Sequence, residues 1–240
     1  MERRSISTRI IGVPEPFIRY LPFAVVGGPQ QMAADEVMLE SAVGGIASLR
    51  FYQWDPPTLS LGYFQKREER LRDPKLARMD WIRRATGGGA IIHDNDLTYA
   101  IALPRTLCRG KTPAEWHCRV HHILAGLLRD RRVAAEVVGG CRAAQGNLDF
   151  LCFAVPQPGD VVWEAKKIIG GAQRVRAGAL VQHGSIQLPD MEGCADELAQ
   201  GFADALGWRL EKADWTDGEK SRIETLAAEK YGHASWNEKR

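Results

Sequence analysis

Apolar residues recur at intervals of three and four in several stretches of the chain, which predicts amphipathic helices. The first two stretches are residues 27–43 and 113–133, and the second begins with a proline suited to a first helical turn. Each helix is predicted to bury one face, formed by Met32, Val37, Met38 and Ser41 in the first and by Ile123, Leu124, Leu127 and Leu128 in the second. Two more helices are predicted within residues 194–215 and over residues 217–232, with the strand-like segment 208–215 between them.

Alternation of apolar and polar residues predicts strands in three other stretches. Residues 48–65 form two strands divided at Asp55-Pro56-Pro57, because proline has no N–H to donate to a central ladder. Residues 89–104 form two strands around a polar turn at His93–Asp96. Residues 160–188 alternate through two short breaks, which is typical of an antiparallel meander. The breaks are Glu164-Ala165 and Arg176–Gly178.

Strands and helices group in separate parts of the chain, which indicates the α+β class with a largely antiparallel mixed sheet flanked by helices. The sequence contains no internal repeat and no long linker rich in glycine, proline or serine. A chain of 240 residues is long enough to bury a substantial core. A single domain over residues 1–240 is therefore the expectation.

The composition is ordinary for a soluble protein, with 45% hydrophobic and 26% charged residues. The formal charge of +2 favours neither nucleic acid nor a membrane as a partner. The sequence has no apolar run long enough to span a bilayer. The N-terminal stretch 1–17 starts with basic residues but lacks the apolar core of a signal peptide, so we expect a cytoplasmic protein.

The cysteines and histidines do not indicate a metal site. Five cysteines are scattered along the chain, without a CxxC pair or a cysteine–histidine cluster of the kind that binds zinc. They are Cys108, Cys118, Cys141, Cys152 and Cys194. Three histidines lie in WHCRVHH (residues 116–122), and we interpret them as part of a helix surface. No metal is predicted.

Three consecutive glycines, Gly87 to Gly89, follow two arginines in RRATGGGAIIHDNDLTYAIALP, residues 83–104. Glycine costs folding entropy, so this run indicates a backbone that bends unusually or lies very close to something. It matches neither G-x-G-x-x-G nor a P-loop, and it leads into a strand, so no helix dipole is available to bind an anion. The guanidinium groups of Arg83 and Arg84 suit a phosphate or a carboxylate. The alternative is a plain tight turn with surface arginines.

Two adjacent lysines lie on a predicted strand in EAKKIIGGAQRV, residues 164–175. Successive strand residues face opposite sides of a sheet, so either Lys166 or Lys167 points inward, beside small residues. An inward lysine there suits a ligand carboxylate, a phosphate or a thiolate. The alternative is that both lysines flank a hairpin turn in solvent.

These stretches, together with VQHGSIQL at residues 181–188, resemble the lipoate–protein ligase and octanoyltransferase family, which is related to the biotin–protein ligases. The resemblance extends to QQMAADEVML, RFYQWDPPTLSLGYFQ and LAAEKYGHASWN. It covers nearly the whole chain, with the motifs in the family's order. It implies a single α+β catalytic domain whose acyl group lies in an apolar tunnel beside the glycine run.

The resemblance also implies a set of substrate-binding residues around that tunnel. Lys167 contacts the activated carboxyl group, and the bare backbone of the glycine run packs directly against the ligand. His183 closes the same pocket from the neighbouring strand; the alternative is a hydrogen-bonded core histidine. The full set is Arg84, Gly87, Gly88, Gly89, Ala90, Ile91, Ile92, His93, Gly170, Gly171, Ala172, His183 and Gly184.

The family divides by chemistry, and Cys152 bears on the choice. Ligases activate lipoate with ATP as an acyl-adenylate, whereas transferases carry octanoate from acyl-carrier protein as a thioester on an enzyme cysteine. In one transferase branch that cysteine precedes the lysine strand and is followed by an aromatic residue and a short proline-containing segment. Cys152-Phe153, then two prolines and then Lys167, resemble that arrangement. Cys152 and Lys167 are therefore the predicted catalytic pair.

A cysteine–lysine pair suits this reaction. A free thiol has a pKa of about 8.5, and a nearby ammonium lowers it and so supplies thiolate. Thioester exchange is nearly thermoneutral and needs no ATP, while amide formation makes the second transfer favourable. The alternative for Cys152 is a small buried hydrophobe.

Several features bear on the choice in both directions. The family's Gly-Ser-Ala after the lysine is Gly170-Gly171-Ala172 here, and Ala165 replaces a common turn glycine, which is tolerable where the turn avoids positive φ. The glycine run lacks the arginine that transferases often carry as its third member, which favours the ligases. The stretch NDLTYAI (residues 95–101) and the lack of room for another domain after Trp236 favour the transferases, although the family also contains ligases that use a separate accessory chain.

Three functions follow from the resemblance. The leading hypothesis is an octanoyltransferase without a cofactor, which moves an octanoyl group from acyl-carrier protein through Cys152 to a lysine of a lipoyl carrier protein. That acceptor is the glycine cleavage H protein or a 2-oxoacid dehydrogenase E2 domain. The second is a lipoate–protein ligase that uses ATP and Mg²⁺ and does not need Cys152. The third is a non-catalytic acyl- or adenylate-binding protein, against which the retention of both Cys152 and Lys167 argues.

Overall fold

The computed structural model of the protein describes residues 16–140 and 149–240. The start of the N-terminal stretch, from which we inferred that no signal peptide is present, lies outside these residues, and so does Cys141. Within the described ranges, no helix has both the length and the apolar character needed to cross a membrane.

The described strands lie in two sheets. In chain order they are β1 (Phe17–Tyr20), β2 (Ala24–Val26), β3 (Ser48–Trp54), β4 (Thr58–Leu61), β5 (Asp80–Arg83), β6 (Ile91–His93), β7 (Leu97–Leu103), β8 (Glu136–Val137), β9 (Val161–Trp163), β10 (Lys166–Arg176), β11 (Ala179–Ile186) and β12 (Arg209–Lys212). The large sheet has the order β12-β1-β3-β7-β11-β10-β9-β8, with β2 beside β3. The small sheet has the order β5-β4-β6.

The large sheet is mixed but mainly antiparallel, as predicted. Strand β1 runs parallel to β12 and β3, whereas β3, β7, β11, β10 and β9 pair antiparallel in succession. The predicted meander is present: Lys166 pairs with Trp163 across the first turn, and Arg176 pairs with Ala179 across the second.

Helices cover both faces of the large sheet. The helices of the described residues are α1 (Gly28–Val43), α2 (Pro74–Arg78), α3 (Arg105–Cys108), α4 (Pro113–Asp130), α5 (Ala195–Leu206), α6 (Asp217–Leu226) and α7 (Ala234–Asn237), of which α2 packs on the small sheet instead. On one face, Trp116 and Leu124 of α4 and Phe202 of α5 pack into a core with Phe51. On the other face, Met32 and Met38 of α1 pack against Tyr52. The sheet is therefore buried on both sides.

Helices α1 and α4 and the helices and strand near the C-terminus lie where the pattern predicts them. The two strands predicted on either side of the Asp55-Pro56-Pro57 turn also form, but they belong to different sheets. Strand β4 pairs with β5 and β6 rather than with β3. This small sheet carries the glycine run at the end of β5, so it determines where that run lies relative to the large sheet.

The turn between β9 and β10 differs from the expectation in its backbone. Glu164 and Ala165 have φ of 49° and 62°, so both lie in the left-handed region. Two positive φ values are characteristic of the two-residue turn that matches the twist of a hairpin. The turn therefore does not avoid positive φ, and Ala165 adopts a conformation that glycine adopts at lower cost.

Candidate active site

The glycine run and the loop that carries Cys152 lie directly against each other. Ala90 N donates to Phe150 O at 2.7 Å, and Cys152 N donates to Ala90 O at 2.8 Å. A Cβ at Gly89 would lie 2.9 Å from Cys152 N and 3.0 Å from its Cα. Only glycine permits this approach, because any side chain at position 89 would clash with the backbone of Cys152.

Lys167 points inward and reaches the cysteine from β10. Its Nζ lies 3.2 Å from Cys152 Sγ and 2.9 Å from Cys152 O. Its side chain is 3% exposed, whereas neighbouring Lys166 is exposed to solvent, as strand alternation requires. Asp160, just before β9, forms an ion pair with the same Nζ at 2.7 Å.

These groups line a cavity of about 300 Å³ that opens to solvent. Most of its wall is apolar, and the polar groups converge at one place, as is typical of small-molecule sites. The apolar part is Pro113, Ala114, Leu151, Val155 and Pro158. The polar part includes Cys152, Lys167, Asp160, Gln157 and Gln173, and Gly88, Gly89 and Gly171 complete the wall. Cys152 is thus half-buried beside a cavity, which excludes the alternative of a sealed core cysteine.

Two glycines of β10 make room for the pair. A Cβ at Gly170 would lie 2.5 Å from Lys167 Cε and 3.4 Å from Cys152 Sγ. A Cβ at Gly171, where the family has serine, would lie 2.7 Å from Tyr99 Oη and 3.0 Å from His121 Nε2. The space that a serine side chain needs is therefore filled here by the Tyr99 hydroxyl and the His121 ring.

Two histidines of α4 belong to the cavity region, so the interpretation of this segment as a helix surface is wrong for them. His121 is fully buried, and its ring lies 4.2 Å from that of His117, which lines the cavity. Burial, with the charge of Lys167 as a further cause, lowers the pKa of His117 to about 4. Burial also holds the pKa of His121 well below its ordinary value. Both rings are therefore neutral near neutral pH.

His117, His121 and Asp160 each bring a potential metal-ligand atom within 4.8 Å of the others. Protein groups already use most of these atoms. His121 Nδ1 donates to Gly159 O at 2.5 Å, and its Nε2 accepts from the Tyr99 hydroxyl at 2.8 Å. Asp160 pairs with the Lys167 ammonium, whose charge repels a metal cation. Asp160 is thus bound to Lys167 and both ring nitrogens of His121 are bound to protein groups, an arrangement that does not suit a metal ion.

The structure places Arg84 beneath the glycine run rather than on the cavity wall. Its guanidinium donates to Gly87 O at 3.0 Å, Gly89 O at 2.9 Å and the backbone and hydroxyl oxygens of Ser60 at 2.6 and 2.7 Å. Burial lowers its pKa to about 10, so the group stays charged at neutral pH. Arg84 fixes the shape of the run through its carbonyls.

His93 and His183 are held in two buried hydrogen-bond chains. His93 Nε2 lies 2.8 Å from Ser60 Oγ, and its Nδ1 lies 2.9 Å from Asp96 Oδ2. His183 Nδ1 lies 2.6 Å from Asp35 Oδ2, and its Nε2 lies 2.6 Å from Thr86 Oγ1. This environment matches the alternative that His183 is a hydrogen-bonded core histidine.

The predicted substrate-binding residues thus divide into separate groups. Gly88, Gly89 and Gly171 line the cavity together with Cys152 and Lys167, and Gly170 lies against both of those side chains. A separate small cavity is lined by Arg84, Ile91, His93, His183 and Gly184 together with residues of α1, β3 and β7. Gly87 lies under Phe64, Ala90 bridges to Leu151, and Ile92 packs in the small-sheet core. Ala172 lies near Gly88, and a Cβ at Gly88 would be 3.7 Å from its own.

Asp160 and His117 are the site residues that the sequence pattern does not reveal. Asp160 follows the Pro158-Gly159 turn and begins the meander, a position at which a solvated aspartate is common. The one available signal was its place immediately before the strand that pairs with the lysine strand. His117 was indistinguishable from the other histidines of its helix.

Comparison with known proteins gives a consistent result. Residues 28–235 match the family model for the lipoyl protein ligase A/B catalytic domain. Octanoyltransferase LipM of Kyrpidia tusciae is 31% identical, and the alignment covers 86% of this chain and 93% of that protein. Octanoyltransferase LipM of Moorella thermoacetica is 29% identical, with coverage of 95% and 100%.

Solved structures share the fold. A lipoate–protein ligase A crystallised with ATP has a TM-score of 0.74 at 22% identity, covering 93% of this chain and 98% of that one. A bipartite lipoate protein ligase from Thermoplasma acidophilum, studied with its E2 lipoyl domain, has a TM-score of 0.63 at 22% identity, covering 94% and 97%. At these identities the likeness concerns the fold alone, and it confirms the predicted α+β architecture.

Proposed function

The chain belongs to the lipoyl protein ligase A/B catalytic domain family, and on that premise we propose that it is a cysteine-dependent octanoyltransferase of protein lipoylation. The observation that carries the proposal is the distance of 3.2 Å between Cys152 Sγ and Lys167 Nζ at the wall of an apolar cavity. The relatives named octanoyltransferase LipM, which align over most of their length, support the same reaction.

In the first step, Cys152 sulfur attacks the carbonyl carbon of an octanoyl thioester. A carbon–sulfur bond to Cys152 forms, the carbon–sulfur bond to the donor breaks, and the donor thiol takes up the proton that Cys152 gives up. The Lys167 ammonium stabilises the attacking thiolate, because an opposite charge beside a thiol favours its ionised form. The donor is acyl-carrier protein, which presents its acyl group as a thioester.

In the second step, the amine of a lysine on the acceptor attacks the acyl-enzyme. The amide bond forms, the bond to Cys152 sulfur breaks, and the leaving sulfur takes up the proton that the amine loses, which restores the Cys152 thiol. The Lys167 N–H that faces Cys152 Sγ can turn to the oxyanion once the sulfur is acylated, a contact worth about 3 kcal/mol per donor in comparable sites. The acceptor is a lipoyl domain of the E2 type or the H protein; the E2 lipoyl domain studied with the Thermoplasma ligase supports this class.

The apolar wall explains why a saturated acyl chain is a suitable cargo. Leu151, Val155 and the prolines of the cavity bury the chain, and each buried CH₂ group contributes about 0.8 kcal/mol. The bare backbone of Gly88 and Gly89 allows the chain to pass close to the cysteine. No cofactor is required, because the thioester already carries the activated acyl group.

The second candidate is an ATP-dependent ligase, which the fold of the ATP-bound ligase supports. In that reaction Lys167 contacts the acyl-adenylate, and the contact between Cys152 and Lys167 has no role in the chemistry. The cysteine contact therefore favours the transferase.

The test compares two activities of the purified protein. We expect octanoyl transfer from octanoyl-acyl-carrier protein to a lipoyl domain without ATP, and its loss in Cys152→Ala. Lipoate-dependent exchange of pyrophosphate with ATP, unchanged in Cys152→Ala, would establish the ligase instead. Absence of both activities from a folded protein would favour a non-catalytic binding role.

A further inference from the structure

Lys167 has a third partner that the reaction described above does not use. Asp160 Oδ2 lies 2.7 Å from Lys167 Nζ, and the two side chains are 6% and 3% exposed. The other two contacts of Nζ are Cys152 O at 2.9 Å and Cys152 Sγ at 3.2 Å. An ammonium group has three N–H donors, so the three acceptors account for all of them.

The carboxylate is itself held in place. Asp160 Oδ2 accepts the backbone N–H of Gln157 at 2.7 Å, and Asp160 N donates to Gln157 O at 3.0 Å. The turn between them leads directly into β9, and Val162 of β9 pairs with Lys167 of β10. Two adjacent strands therefore fix the carboxylate and the amine relative to each other.

We propose that Asp160 is a positioning residue for the transfer reaction, which keeps Lys167 charged and directs one of its N–H groups toward Cys152 Sγ. The benefit to acyl transfer rests on the proposed function. The effect on Lys167 does not, because it depends only on the contact between the two side chains.

The physical reason is the burial of the ammonium. A buried lysine favours its neutral form unless an opposite charge lies close by. Without Asp160, the uncharged main chain and thiol of Cys152 would be the remaining partners of Nζ among the described residues. A neutral amine cannot act as the counter-ion of a thiolate. Removal of the Asp160 carboxylate should therefore weaken the stabilisation of the Cys152 thiolate, because it reduces the charge on Lys167.

Other titratable groups face this pair from the elements packed around it. They are Tyr99 of β7, His117 and His121 of α4, Arg84 below the glycine run and Asp149 at the cavity wall. Burial raises the pKa of Tyr99 and lowers the pKa of both histidines, so these three rings stay neutral near neutral pH. Burial also raises the pKa of Asp160, and the ammonium opposes that shift. The ion pair consequently depends on its own two members.

The first experiment measures how fast acetic anhydride acylates Lys167, across a range of pH and by peptide mass spectrometry. Only a neutral amine reacts. Asp160→Asn should accelerate labelling of Lys167 near pH 8 by about tenfold, because a larger fraction of the amine is then neutral. Glu164→Gln, which removes a solvent-exposed charge from the neighbouring turn, is the matched control and should leave the rate unchanged.

The shape of the pH dependence separates a loss of charge from a loosened structure. Loss of charge moves the pH at which labelling levels off, whereas loosening multiplies the rate at every pH by the same factor. An Asp160→Asn profile that superimposes on that of the wild type, or differs from it by a constant factor only, overturns the proposal. Where Asp160→Asn does not fold, Asp160→Glu replaces it: retained charge should keep labelling slow, and fast labelling would contradict the proposal.

The second experiment follows the alkylation of Cys152 by iodoacetamide. Asp160→Asn should slow it in the wild-type background and have no further effect in a Lys167→Met background, because Asp160 acts through the lysine. An equal effect in both backgrounds contradicts the proposal. Neither experiment uses an acyl substrate, so failure of the wild-type protein to transfer octanoate would refute the proposed function and leave the role of Asp160 decided by labelling.

Discussion

The backbone of Cys152 lies against Gly89 so closely that a Cβ on the glycine would be 2.9 Å from the cysteine nitrogen. The two residues are 63 positions apart in the sequence, and the bridge between Ala90 and Leu151 holds their segments side by side. The glycine run therefore sets the position of Cys152, the proposed nucleophile.

Gly89→Ala should displace the cysteine loop and reduce octanoyl transfer by more than about tenfold. The clash is with backbone atoms, which cannot rotate away, so we expect a stability cost of about 1–3 kcal/mol. Transfer rates and urea unfolding measure the two effects. Gly218→Ala is the control, since a Cβ there has nothing within 4 Å. Wild-type activity in Gly89→Ala would refute this relationship.

Lys167→Met should abolish most octanoyl transfer, with a reduction of about 100-fold or more, because both the thiolate and the oxyanion lose their cationic partner. The substitution also leaves Asp160 buried without its counter-charge, which costs about 3–5 kcal/mol in comparable ion pairs. That figure is an upper bound here, because burial raises the pKa of Asp160 and the acid form relieves part of the cost.

Lys166→Met is the matched control for Lys167→Met. Lys166 is the exposed neighbour on the same strand and should tolerate the change in both activity and unfolding free energy. An equal loss of activity in the two variants would show that the strand, and not the inward amine, is what matters.

Arg84→Met should reduce the free energy of unfolding by about 3 kcal/mol or more. It removes four charge-assisted hydrogen bonds to buried oxygens and leaves the carbonyls of the glycine run without a donor. Chemical denaturation checks the value, with exposed Arg78→Met as the control. A fully stable Arg84→Met that has lost activity would instead indicate direct contact with the substrate, as the family resemblance implies.

Acidification should destabilise the fold through the α4 histidines. Burial lowers the pKa of His117 to about 4, so the unfolded chain binds a proton below its ordinary pKa of about 6.5 while the folded ring does not. The contribution of this ring to the free energy of unfolding is complete at pH 7. It falls as the pH drops, and for one such ring the loss is about 2 kcal/mol at pH 5.

The comparison of wild type with His117→Gln isolates the contribution of His117 to the pH dependence of stability, because the facing groups Lys167, His121 and Asp160 are present in both proteins. The variant should lose less stability than the wild type in urea unfolding between pH 7 and pH 5. Parallel losses in the two proteins would contradict the assignment.

The sequence sufficed for much of the fold because hydrophobic periodicity reports which face of an element is buried. Helices α1 and α4 and the meander from β9 to β11 follow directly from it. The pairing of β4 with β5 and β6 did not, since periodicity gives a face and not a partner. The positive φ at Ala165 was also hidden, because the surrounding hairpin imposes it.

The inward direction of Lys167 was predictable from strand alternation, and the position of Cys152 beside it was suggested by the family resemblance; the structure brings the two side chains together. Arg84 was among the predicted residues, but its hydrogen bonds to the carbonyls of the glycine run were not predicted. Asp160 and His121 were not predicted, because the sequence pattern does not show which partners a buried polar residue has. His121, for example, contacts Tyr99 and Gly159 at the two ends of its ring. Only the assembled fold reveals that such a residue is satisfied inside the protein rather than solvated at its surface.

The central claim is that Cys152 carries the acyl group, and intact-protein mass spectrometry after incubation with octanoyl-acyl-carrier protein tests it directly. The account predicts one octanoyl adduct, located on Cys152 by peptide mapping, released by hydroxylamine, consumed on addition of a lipoyl domain and absent from Cys152→Ala. Transfer to the lipoyl domain that proceeds at the wild-type rate in Cys152→Ala, without an adduct on the cysteine, would contradict it.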